Sequence, residues 1–140
     1  MSPLERITDR ITRVGDLNDP KCPFPLLALS EFFEGNDVLG SICCNLHPTP
    51  RPQELHELFR DFEAKPEVDR VLIQVSAFDD PDWPFCDTAW VITTASEGNV
   101  GSWFPDHLRP NEVWMGYIGD EEYENVDIPE THFPVACWWD

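Results

Sequence analysis

Fourteen prolines are distributed through 140 residues, and they rule out any long helix. Each removes a backbone donor and fixes φ, so regular structure must fit into the short intervals between them. Within those intervals the chain still has the means to build a core. Hydrophobic residues make up 41%, and six residues are tryptophan. The length fits one domain, spanning 1–140, of the commonest size.

Charge is the second constraint. Twenty-seven acids against nine bases give a formal net charge of −18. Like charges at this density repel one another on compaction, and they repel nucleic acid and anionic membranes. No apolar run approaches a membrane span, and the first residues, Met1 to Arg6, carry no apolar leader. The cytoplasm is therefore the expected compartment, with neither nucleic acid nor membrane as partner. Cysteines 22, 43, 44, 86 and 137 form an odd set without a C-x-x-C, which fits buried reduced thiols better than disulfides or zinc.

Leu4, Ile7, Ile11 and Val14 form one helical stripe, with Ser2 and Pro3 suited to its start. Asp16 to Pro25 reads as a linker, and Leu26 to Phe33 as a short helix ending at Gly35-Asn36. These first 35 residues look like a helical appendage. From Ser41 onward the pattern is more regular. Strands are expected at 41–46, 70–78, 88–94, 112–118 and 133–139. Helices are expected at 52–65, with Leu55, Leu58, Phe59 and Phe62 on one face, and from Ser96 toward Leu108. The order over 41–140 is β-α-β-β-α-β with one extra strand. It predicts an α+β fold, a ferredoxin-like sandwich with an antiparallel sheet behind two helices.

Candidate chemistry is sparse. Asp79, Asp80, Asp82 and Asp87 cluster in one loop, a composition that suits hard cations, but the spacing is not that of an EF-hand. A solvated acidic turn is the plainer reading, with Trp83 and Phe85 folded back under the sheet and Asp87 hydrogen-bonded. Cys43, Cys44 and His47 suggest a thiol or metal centre, yet no metal-binding histidine pair and no G-x-S-x-G occurs. The Gly98–Gly101 stretch lacks the features of a phosphate loop. No cofactor is implied. The second acidic run, 120–130, includes Asp120, Glu121, Glu122 and Glu124. Of Trp138 and Trp139, only one side chain can point to a given face of a strand, so Trp139 is a candidate interface anchor.

The stretches Ser30–Asn36 (SEFFEGN), Gly40–Leu46 (GSICCNL), Trp83–Thr88 (WPFCDT) and Trp138–Asp140 (WWD) resemble a family of small uncharacterised bacterial proteins, over roughly residues 26–140. The resemblance implies a bacterial, cytoplasmic setting and no assigned activity. In size, acidity and layout the chain is also similar to toxin-immunity proteins. These readings lead to a non-enzymatic module that docks an acidic face on a basic protein, with Asp79, Asp80, Asp82, Asp120, Glu121, Glu122, Glu124 and Trp139 in contact. The alternative is a small enzyme or divalent-metal-dependent ligand-binding protein using the 79–87 loop or Cys43–His47. A homo-oligomer burying the C-terminal strand is a third.

Overall fold

A computed structural model describes all residues, 1–140. Four helices and five strands follow the order α1 (Pro3–Thr12), β1 (Leu26–Ala28), α2 (Leu29–Phe33), α3 (Pro52–Glu63), β2 (Val68–Gln74), β3 (Thr88–Thr93), α4 (Glu97–Ser102), β4 (Glu112–Met115) and β5 (Phe133–Trp138). The α+β class holds. The strands form one sheet in the order β1-β2-β3-β5-β4, and every neighbouring pair is antiparallel.

That order is not the ferredoxin-like one, which needs a parallel pair at its centre. The reason lies in two segments. Residues 41–46 do not form a strand. Cys43 takes a left-handed φ of 58°, which breaks the extended run, and only Ile42 makes a bridge, to Cys86. Leu26 to Ala28 takes the place of the missing strand, pairing with Leu72 to Gln74 along the outer edge of β2. A short apolar run fits strand or helix equally well by pattern, and here the first three residues extend before α2 begins.

Helix boundaries follow local chemistry. Ser2 Oγ accepts from Glu5 N–H while Glu5 Oε1 accepts from Ser2 N–H, a reciprocal cap that starts α1. Glu54 accepts from Arg51 N–H at the start of α3, and Pro66 lies just beyond its end. Ser96 Oγ accepts from Asn99 N–H, but α4 stops at Ser102 and a single 3₁₀ turn, Asp106–Leu108, follows.

The helices cover one face of the sheet over a core of 26 buried residues. Ile7 and Ile11 of α1, Leu27 of β1 and Phe32 and Phe33 of α2 belong to that core together with Trp139. The first 35 residues are thus part of the main packing unit and not an appendage on it. Burying a side chain of this size contributes about 1.5–3 kcal/mol.

The opposite face has its own cover. Ala28, Leu72, Trp90, Ala136 and Trp114 lie abreast across the strands. A small cluster of Leu26, Leu72, Trp90, Ile92 and Ala136 is roofed by Ile118, Tyr123, Val126 and Ile128. In this loop Ile118, Tyr123, Val126 and Ile128 face the sheet, while Asp120, Glu121, Glu122 and Asp127 are exposed. Tyr123 meets Trp90 edge-on at 5.5 Å, and Arg70 donates to the Asp127 carbonyl.

Candidate functional site

The two acidic loops, about forty residues apart in sequence, converge in space. Asp79 and the triplet Asp120, Glu121 and Glu122 line one cleft of about 630 Å³. The third wall is the loop after α1, which adds Asp19, Lys21 and Cys22. Five carboxylates face one ammonium group. Asx turns shape that third wall: Asp16 accepts from Asn18 N–H and Asp19 from Lys21 N–H. Asp19, Lys21 and Cys22 stand in the stretch read from sequence as linker, and the repeated Asx-turn residues are the signal that it is an ordered wall.

Backbone bonds hold the acidic triplet against that wall. Phe24 N–H donates to the Glu122 carbonyl at 3.0 Å, and Glu124 N–H donates to the Phe24 carbonyl at 2.9 Å. Asp120 and Glu121 both take left-handed backbone, with φ of 54° and 65°. Aspartate tolerates this region better than glutamate, so Glu121 carries local strain of about 1 kcal/mol or more.

Ser76 lines the cleft and donates to Asp87 Oδ1 at 2.5 Å, and Thr88 donates to the same oxygen at 2.9 Å. Gln74 donates to Ser76 and accepts from Trp90 Nε1 at 2.9 Å. Burial raises the Tyr123 pKa, with Glu122 and then Asp87 adding to it.

The remaining predicted contact residues are elsewhere. Asp80 and Asp82 are exposed in the turn beside the cleft, where Asp80 accepts from Asp82 N–H. Glu124 is half-buried. It accepts from Arg10 at 2.8 Å and from Leu26 N–H at 2.9 Å, so its carboxylate is a structural bracket. Trp139 is 1% exposed, packed edge-on against Phe59 and Phe104, with Nε1 donating to the Leu108 carbonyl. It anchors the core, and its neighbour Trp138 is the half-buried one. The C-terminal strand has β3 on one side and β4 on the other, which leaves it no free edge for an oligomer.

In the Cys43–His47 segment Cys43 is buried and Cys44 is exposed, so the two thiols differ. Burial pushes the Cys43 thiol well above its ordinary pKa, with Cys86 and Cys44 adding to the shift, and the thiolate is the reactive form. No group of three or more histidine, cysteine or carboxylate side chains is placed to hold a metal ion. Asp87 faces Ser76 and Thr88 while Asp79 faces the cleft, so the 79–87 carboxylates do not gather.

The four stretches that carried the resemblance meet in space. Trp83 Nε1 donates to the Phe32 carbonyl at 3.1 Å, Cys86 N–H to the Ser41 carbonyl at 2.8 Å, and Trp139 N–H to the Asp87 carbonyl at 2.9 Å. They form one internally bonded frame, and none of their residues lines the cleft.

Fold and cleft together define a class: a small acidic α+β protein with one antiparallel sheet and a carboxylate-lined cleft beside it. The chain belongs to the family described as the uncharacterized protein YfbO family, whose model matches residues 2–138. It is 46% identical to the uncharacterized protein YfbO of Escherichia coli (strain K12) over 140 residues, the full length of both. No solved structure matches it. The family match takes in α1, which the resemblance had left outside, in keeping with the burial of Ile7 and Ile11. No helix is long and apolar enough to cross a membrane.

Proposed function

We propose that this chain is a non-enzymatic, immunity-like binding protein of the cytoplasm that docks an acidic face on a basic protein partner. The observation that carries the reading is the convergence of Asp19, Asp79, Asp120, Glu121 and Glu122 on one cleft with Lys21 alone to offset them. Charges that served solubility alone would be spread to reduce repulsion, whereas these are brought together. Two adjacent residues held at left-handed φ within the cleft add support, since strain of this kind concentrates at sites of function. Such a surface speeds encounter with a cationic partner and selects against acidic ones.

The test is capture from a lysate of the native host on immobilised chain at low salt. A basic protein should be retained, released at high salt, and lost when Asp79, Asp120, Glu121 and Glu122 are neutralised together. Retention that survives both the salt and the neutralisation would refute the reading.

A further inference from the structure

The two edges of the sheet are finished differently. Along β1 the outward backbone groups are occupied. Leu26 N–H donates to Glu124 at 2.9 Å, the Leu26 carbonyl accepts from Arg10 at 3.2 Å, and Ala28 N–H donates to Glu31 at 2.8 Å. This edge is sealed against another strand.

Along β4 the situation is reversed. Gly116 N–H donates inward to the Pro134 carbonyl at 2.9 Å. The alternation of an antiparallel ladder then turns the backbone of Val113 and Met115 outward. Met115 N–H meets a single side chain, Glu97, whose Oε2 lies 3.1 Å away. Trp114, Met115 and Tyr117 are 38%, 52% and 67% exposed, three of the five large apolar side chains left in solvent. Residues 112–117 hold no lysine and no proline, the residues that commonly guard an open edge.

We infer that the outer edge of β4 receives an extended basic segment, which adds to the sheet as a further strand. This rests on the proposal of a basic partner and names a second contact for it. Charge decides the occupant. Glu112 lies on the strand and Glu97 at its edge, within a chain of net charge −18. A second copy would bring another −18 and set Glu112 near like charge, whereas alternating lysine or arginine is attracted. Glu97 holds the place of the incoming carbonyl at Met115 N–H. Displaced by it, the carboxylate is free to pair with a basic side chain. The apolar residues of the segment, all on one face, then cover Trp114, and the basic side chains on the other face lie on the side of Met115 and Glu97.

The experiment titrates a short peptide of alternating lysine and valine into the isotope-labelled full chain, following amide shifts and hydrogen exchange. The expected result is shifts centred on 112–117, about tenfold or greater slowing of exchange at Val113 and Met115, and loss of both at high salt. Met115→Lys, at an exposed position that the fold tolerates, should weaken binding by about tenfold. Glu97→Gln should reduce the salt dependence while leaving the fold intact. Shifts confined to 76–79 and 119–122 would overturn the strand-addition proposal and leave the cleft reading standing. The absence of any peptide-induced change at 112–117 would overturn it too, as would slowing of the same amides when the chain alone is concentrated.

Discussion

Arg10 of α1 and Glu124 of the second acidic loop are 114 positions apart in sequence, and their side chains meet at 2.8 Å. Arg10 also donates to Glu31 at 2.8 Å and to the Leu26 carbonyl, so one guanidinium joins α1, α2, β1 and the loop. Burial works against its charge, but the hydrogen bond and attraction of Glu124, and then of Glu31, outweigh it and raise its pKa. A fixed cation here holds two carboxylates close together in a chain already rich in them.

Arg10→Ala leaves Glu31 and Glu124 facing each other without a counter-ion and uncaps the Leu26 carbonyl. We expect a loss of about 2–3 kcal/mol, read from urea unfolding, with Arg10→Lys intermediate because it lacks the fork that reaches both acids. A loss below about 0.5 kcal/mol would show that the bracket contributes little.

Trp139→Phe should cost about 1–2 kcal/mol through the lost bond to the Leu108 carbonyl and the reduced contact with Phe59 and Phe104. Trp139→Ala should cost about 3–5 kcal/mol. Thermal unfolding of the two variants checks the order. Equal stability of both with the parent would mean that this ring is not buried.

Glu121→Gly should stabilise the fold by about 1 kcal/mol, because glycine takes a φ of 65° without the Cβ penalty. The same change removes a cleft charge, so a Glu121→Gln control separates the backbone effect from the electrostatic one. Stabilisation by glycine no greater than by glutamine would remove the argument from strain.

His56 stacks on Phe33 at 4.9 Å. Burial, and then the charge of Arg60, lowers its pKa from the ordinary 6.5, with Glu63 and Glu57 opposing. The unfolded chain therefore binds the proton more readily than the folded one. The stability this provides is fully present above pH 6.5 and is lost as pH falls from there through the folded pKa. His56→Gln should flatten the unfolding midpoint over that window, measured by thermal melts across pH.

Much of the fold was legible in the sequence, and the exceptions have physical causes. Leu55, Phe59 and Phe62 recur at helical spacing and are buried on α3, while the β-branched run of β2 and its hairpin to β3 were visible as strands. The sheet order was not. Leu26–Ala28 gains its strand identity only from the edge of β2, a partner more than forty residues away. Ser41–Leu46 has strand composition, but the left-handed turn at Cys43 overrides it. For the site, sequence identified the two acidic loops but not that they share a cleft, nor that Glu124 and Trp139 are turned inward. Those outcomes depend on Arg10 and on the space between Phe59 and Phe104, both of which are set by packing across the whole chain.

Gathered charge carries its own cost in stability. Raising salt from low to physiological levels should raise the melting temperature of the parent chain, and raise it less once Asp79, Asp120, Glu121 and Glu122 are neutral. Scanning calorimetry of the two proteins gives the comparison. An equal response would place the repulsion elsewhere on the surface.

The central claim is that the carboxylate cleft between the 16–22, 76–79 and 119–122 segments is the contact surface for a basic protein. The most direct measurement is the affinity of the captured partner for the parent chain and for the variant Asp79→Asn, Asp120→Asn, Glu121→Gln, Glu122→Gln, by titration calorimetry over a salt series. The account predicts steeply salt-dependent binding to the parent, and binding at least about tenfold weaker, with a shallower salt dependence, in the variant. Equal affinity and equal salt slope in the two would contradict it.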